Sequence, residues 1–173
     1  MREAPGAAWT LPRVLLGGDL YKLGYVVADR DEAVRALEGT YGFEPLVRAE
    51  VHFEAVLPGG ERVATHLACA LTTGRDHLIE VMQPVSGAVD LWADLLEGPG
   101  PLLRFHNIGV LTDDIDRVKA TAAGHGLPLE LSAQSAGSWS FAYHRVPLLG
   151  HLVEHLQYFG AAGDDLDHIR GLR

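Results

Sequence analysis

A seven-residue phrase occurs twice in this chain. His77-Leu78-Ile79-Glu80-Val81-Met82-Gln83 returns as His151-Leu152-Val153-Glu154-His155-Leu156-Gln157, with one carboxylate at the centre of each copy. Both copies are short apolar runs with β-branched residues. Turn-forming residues precede each, Thr73-Gly74-Arg75-Asp76 in one case and Leu149-Gly150 in the other, so both predict strands. A Glu flanked by hydrophobes on a strand needs a partner for its charge. A second pair of segments comes earlier in each half: Leu23-Gly24-Tyr25-Val26-Val27-Ala28-Asp29 is echoed by Ile108-Gly109-Val110-Leu111-Thr112-Asp113-Asp114, each an apolar strand running into an acidic helix start. Two such openings and two Glu-centred closings indicate an internal duplication, which sets the architecture before any other feature.

The elements between these anchors complete the pattern. Asp29, with Glu32 three residues on, predicts a helix carrying Ala33, Val34 and Leu37 on one stripe and closed by Gly42. From Leu46 to Leu57 the chain alternates, with Val47, Ala49, Val51, Phe53 and Ala55 on one face and Arg48, Glu50, His52 and Glu54 on the other, so a long half-exposed strand is expected. The turn Pro58-Gly59-Gly60-Glu61 and a strand from Arg62 to Leu71 lead to the first Glu strand. The second half repeats the order: strand 105–112, a helix ending at Gly124 with Ile115, Val118 and Ala122 on one stripe, then strands 127–133, 139–146 and 151–158. The expectation is an α+β fold of two tandem βαβββ modules, residues 20–84 and 105–159, forming a cupped, barrel-like mixed sheet with an internal cavity. Residues 1–19 read as an arm that packs Trp9 and Leu15, residues 85–104 as a connector whose Leu91, Trp92 and Leu95 cover the core, and residues 160–173 as a polar tail.

The formal charge of −9 comes with no basic stripe interleaved with aromatics, which argues against nucleic-acid binding. The apolar stretch Leu11–Leu16 is broken by Pro12 and Arg13, and nothing approaches a membrane span, so a cytoplasmic protein is expected. The single Cys69 excludes an intramolecular disulfide and a cysteine-rich zinc site.

Gly24–Val34 and Ile108–Asp116 as module openings, with Ile79–Pro84 and Gly150–Glu154 as closings, resemble the vicinal oxygen chelate superfamily, also called the glyoxalase/bleomycin resistance protein/dioxygenase fold. The resemblance covers Leu20 to Tyr158. It implies a divalent metal, zinc, iron, nickel or manganese, held by a Glu from the last strand of each module and by a His or Gln two residues before each motif Gly. Those positions hold Glu80, Glu154, Lys22 and Asn107. A protonated Lys has no lone pair to offer and an amide oxygen is a weak ligand, so the metal is disfavoured. A metal-free cup with Lys22 bridging Glu80 and Glu154 is expected. The competing assignment shifts the register by one residue, making His106 a ligand beside the two Glu; strand alternation, which turns His106 toward the helix layer or the rim, argues against it.

Two functions follow. In the first, a glyoxalase-like lyase or isomerase acts on a small carbonyl or carboxylate compound, with Glu80, Glu154 and Lys22 catalytic and Asn107, His106, His52 and Tyr143 as substrate contacts. The missing His ligands make a dioxygenase the weaker form of this reading. In the second, the cup sequesters a small molecule without chemistry. Carboxylates kept inside a cavity favour the enzyme. The arm before Asp19 packs either on the body or on a partner chain, and the second case would make a homodimer. His151 and His155 have the spacing of a helical zinc pair, but on a strand that spacing sets them about 13 Å apart on the face opposite Glu154.

Overall fold

The computed structural model describes residues 19–72, 78–135 and 137–160. The expected arm, the turn and strand start at 73–77 including His77, and the tail beyond Gly160 lie outside the described residues. Eight strands, β1 (Asp19–Val26), β2 (Val47–Val56), β3 (Arg62–Leu71), β4 (Leu78–Ser86), β5 (Arg104–Leu111), β6 (Leu129–Ser135), β7 (Trp139–Val146) and β8 (His151–Tyr158), close into a barrel in the order β1-β4-β3-β2-β6-β7-β8-β5. The α+β expectation of two cupped βαβββ modules is met. Each module runs first, fourth, third, second strand, with its first and fourth strands parallel. β4 continues to Ser86, past the Pro84 at which the first module was expected to close.

The modules meet along the antiparallel pair β1 and β5, with Leu23 opposite Ile108, and again through Val56 opposite Ser132 on β2 and β6. Helix α1 (Arg30–Arg35) continues into a wider turn over Ala36–Thr40, and Gly42 at φ 68° ends it in the left-handed region. It lays Ala33, Val34 and Leu37 on the outer face of the first module, against Ala70 and Val81. Helix α2 (Asp90–Ala93) drives Trp92 fully into the barrel interior, whereas Leu95, expected to cover the core, is 39% exposed. Helix α3 (Ile115–Gly124) packs Ala122 against Val110, Val146 and Val153 of the second module. No helix of the described residues is long and apolar enough to cross a membrane.

The last residue of the repeated phrase has a structural use. Gln83 Oε1 accepts the Arg30 N–H at 2.9 Å, and Gln157 Oε1 accepts the Ile115 N–H at 3.1 Å. Each Gln therefore ties its module's Glu strand to the unpaired first turn of that module's helix, beside an Asp cap that accepts from Glu32 or Arg117.

The motif glycines make a second reciprocal pair. Gly24 lies opposite Asn107 and Gly109 opposite Lys22 across the β1–β5 seam. A Cβ on Gly24 would overlap the Asn107 amide, and one on Gly109 would overlap the Lys22 stem and the Tyr21 ring. Each module's glycine thus makes room for the other module's inward polar side chain.

Overpacking of this kind costs about 1–3 kcal/mol, so Gly24→Ala is expected to lower the urea midpoint accordingly. Gly39→Ala, where nothing lies within 4 Å of an added Cβ, is expected to leave the midpoint unchanged or raise it. A Gly24→Ala protein as stable as the parent would contradict the close approach.

Candidate functional site

Strand alternation places the two carboxylates. On β4, Leu78, Glu80 and Met82 face the interior while Val81 faces α1, and on β8 Glu154 and Leu156 face inward while Val153 faces α3. Both carboxylates are buried, Glu80 at 8% and Glu154 at 3% exposure. Lys22 reaches them from β1. Its Nζ donates to Glu80 Oε2 at 2.5 Å and lies 2.8 Å from Glu154 Oε2. The ammonium joins its own module's carboxylate to the partner module's.

Burial alone would depress the Lys22 ammonium, but Glu154 and Glu80 outweigh burial and hold it well above the ordinary lysine range. Lys22 therefore stays protonated at neutral pH, between the two carboxylates. Glu154 Oε2 also accepts from Asn107 Nδ2 at 3.0 Å and from the Tyr143 hydroxyl at 3.1 Å. Burial pushes the Tyr143 phenol up, so it stays a neutral donor.

Two bulges explain how adjacent residues reach one side. The β1–β5 register steps from Leu20/Val110 to Lys22/Gly109 and from Gly24/Asn107 to Tyr25/Phe105, leaving Tyr21 and His106 as the extra residues. The alternation that was expected to turn His106 outward is broken at that point. His106 is 2% exposed, stacked on Trp92 at 5.6 Å and edge-on to Tyr143 at 5.4 Å. It does not reach the carboxylates. Its Nδ1 contacts Asn107 Oδ1 at 2.7 Å and its Nε2 faces the Leu91 carbonyl at 3.2 Å. Burial pulls its pKa down to about 4, so the ring is neutral at physiological pH, and the shorter contact puts its one proton on Nδ1.

These residues do not fit the divalent metal implied by the sequence resemblance. An ammonium sits between the carboxylates, Asn107 turns its amide donor toward Glu154, and the amide stands between that carboxylate and His106. Among the described residues, no three His, Cys, Asp or Glu side chains are grouped so as to hold a metal ion. His106 thus stands apart from Glu80 and Glu154, with its ring nitrogens on Asn107 and the Leu91 carbonyl.

Of the seven candidate residues, Lys22, Glu80, Glu154 and Tyr143 line a cavity of about 270 Å³. Asn107 and His106 stand behind its floor. His52 is outside the barrel, on the β2 face opposite Val51 and Phe53, where its ring stacks on His66 at 4.0 Å and Glu50 holds His66 at 2.7 Å. Among the described residues His52 does not line the cavity: it is on the polar face of β2, where Glu50 and Arg48 pair with Arg30 and Asp31 at the start of α1. Cys69 lies inside, and His155 is buried on the outer side against His144 at 5.3 Å. Sequence reasoning missed Tyr21 as a cavity residue. Its signal was the alignment of Tyr21-Lys22 with His106-Asn107 before each motif Gly.

Residues 21–143 match the model of the family described as the Glyoxalase/Bleomycin resistance protein/Dioxygenase superfamily. No curated protein sequence matches the chain. Among solved structures, the chain is similar to methylmalonyl-CoA epimerase from Mycobacterium tuberculosis, with a TM-score of 0.58 and 16% identity over 87% of this chain and 93% of that one. It is also similar to a Streptomyces coelicolor methylmalonyl-CoA epimerase variant in complex with 2-nitronate-propionyl-CoA, with a TM-score of 0.54 and 17% identity over 82% and 97%. A third is a methylmalonyl-CoA epimerase in complex with methylmalonyl-CoA and NH4+, with a TM-score of 0.54 and 18% identity over 82% and 94%. At these identities the likeness is one of fold.

Removing one partner of a buried charge cluster typically costs about 3–5 kcal/mol, which is the loss expected for Lys22→Met in urea unfolding at pH 7. Lys22→Met/Glu80→Gln is expected to recover part of it. The folded-state pKa of Lys22 is raised, so its stabilisation is fully present below about pH 10.5 and is lost as pH rises through the folded value. The gap between parent and Lys22→Met should therefore stay constant from neutrality to about pH 10 and narrow above it. A gap absent at neutral pH would contradict the buried cluster.

Proposed function

The chain belongs to the glyoxalase/bleomycin resistance protein/dioxygenase superfamily, and from that footing we propose that its cup carries out isomerase- or lyase-type proton transfer on a small carbonyl compound without a metal. One observation carries the reading: a lysine ammonium and two carboxylates share the floor of a largely apolar cavity. Proton abstraction next to a carbonyl needs a base and a positive charge at the oxygen where the enolate forms. Lys22 has three N–H donors, and its ion pairs engage the carboxylates with two of them.

The roles divide by hydrogen bonding. Glu154 Oε2 is engaged by Lys22, Asn107 and Tyr143, which makes it the anchor that orients the ammonium. Glu80 Oε2 contacts Lys22, and Glu80 is the base. Its carboxylate takes the proton on the carbon beside the substrate carbonyl, the C–H electron pair becomes the enolate, and the developing oxygen charge is met by the Lys22 ammonium. Delivery of that proton from Glu80 to a different atom of the conjugated enolate completes an isomerisation, while collapse of the enolate pair into a C=C bond as a β-substituent leaves with its bonding electrons completes a lyase reaction. Asn107 and His106 are positioning residues that hold Glu154. In a solved relative, methylmalonyl-CoA is bound together with NH4+, and a tethered ammonium in a cup of the same fold is in keeping with that pairing.

Sequestration without chemistry draws on the same apolar walls. The two are separated in heavy water, by following loss of the exchangeable C–H signal of para-methoxyphenylacetone, para-methoxyphenylpyruvate and methylmalonyl-CoA by proton NMR. The parent is expected to exchange at least one of them well above the buffer rate. Glu80→Gln should cut that rate by about 10²–10⁴ while binding changes little. A probe that binds in the cup and exchanges no faster than in buffer would overturn catalysis in favour of sequestration.

A further inference from the structure

The floor is formally negative, with one ammonium against two carboxylates, and no other Lys, Arg or His is found among the described residues lining the cavity. An anion entering it would meet net repulsion and give up its hydration with no free cation to replace it. The walls are ring faces. Phe53, Trp92, Trp139, Phe141, Tyr143 and Tyr158 surround the space, with Phe53 and Phe141 edge to face at 5.4 Å and Trp139 stacked on Phe141 at 5.5 Å. By proportion with a ~150 Å³ apolar cavity that accepts benzene, the volume suits roughly ten non-hydrogen atoms.

Two donors on lining residues lack partners. The Tyr21 hydroxyl and the Trp92 indole Nε1 are buried and make no hydrogen bond. An indole N–H can only donate, and buried polar groups are ordinarily satisfied, so an acceptor is wanted there. The Tyr21 phenol is held neutral by burial.

We propose that the cup takes a compact, uncharged, flat-ringed carbonyl compound with a second acceptor oxygen, not a carboxylate and not a CoA thioester. The ring lies among the aromatic walls, one oxygen meets Lys22, and the other meets the open donors of Trp92 and Tyr21. Placing the carbonyl at Lys22 rests on the proton-transfer reading above; the preference for an uncharged ring compound rests on the cavity alone. The chain thereby departs from the CoA esters bound in its structural neighbours.

The test compares para-methoxyphenylacetone with para-methoxyphenylpyruvate, in which a carboxylate replaces the methyl group of the ketone, and with methylmalonyl-CoA. Affinities come from calorimetry on the full chain, and the tryptophan indole signals from proton–nitrogen correlation spectra, with Trp92→Phe assigning the Trp92 peak. The uncharged ketone is expected to bind at least about tenfold more tightly than either anion, the cost of one unpaired charge or lost hydrogen bond. It should also move the Trp92 indole signal downfield. Equal or tighter binding of either anion, no binding of the ketone, or ketone binding that leaves the Trp92 signal in place would overturn the inference. Ketone binding without hydrogen exchange overturns the catalytic reading and leaves this one standing; exchange on a tightly bound anion does the reverse.

Discussion

The ion pair between one lysine and two glutamates, drawn from three strands and both modules, is the constraint around which this barrel is arranged. Lys22 on β1 reaches Glu80 on the parallel neighbour β4 and Glu154 on β8 across the module seam. Moving these charges out of water is costly, and only close geometry with every partner in place offsets it. The surrounding features serve that geometry. Gly109 leaves space for the Lys22 stem, Asn107 and Tyr143 saturate Glu154 Oε2, and His106 fixes which way the Asn107 amide faces.

Duplication supplies symmetric seats that the chain fills unequally. Tyr21-Lys22 and His106-Asn107 occupy equivalent bulges, Gly24 and Gly109 equivalent gaps, and Gln83 and Gln157 equivalent helix ties. The scaffold positions keep matched chemistry because they do matched work. The inward position after each bulge differs, a cation on one side and a neutral amide on the other. The amide on that side donates to Glu154 and adds no second charge to the floor.

Much of this was legible in the chain. The twice-written Glu phrase gave away the duplication and the pairing of Glu80 with Glu154, because period-two alternation on a strand determines which side chains share a face. His106 was misplaced by the same rule, since a bulge inserts a residue and breaks the alternation locally. The place of His52 was not legible, because the polar face of β2 looks the same in sequence whether it lines a cup or stacks His52 on His66 outside the barrel. The Gln at the end of each phrase read as an ordinary polar strand end, because its partner is a helix start more than forty residues away in sequence.

On this floor a protein-supplied cation stands between the two carboxylates where the family resemblance implies a metal. Metal content by inductively coupled plasma mass spectrometry, on the parent chain incubated with zinc, iron, nickel or manganese and then desalted, tests it most directly. No stoichiometric retention of any of them is expected, because the Lys22 ammonium already occupies the space between the carboxylates that would ligate. Tight retention of roughly one equivalent per chain would contradict it, since metal affinity of that kind requires the ligands that this floor commits to an ammonium.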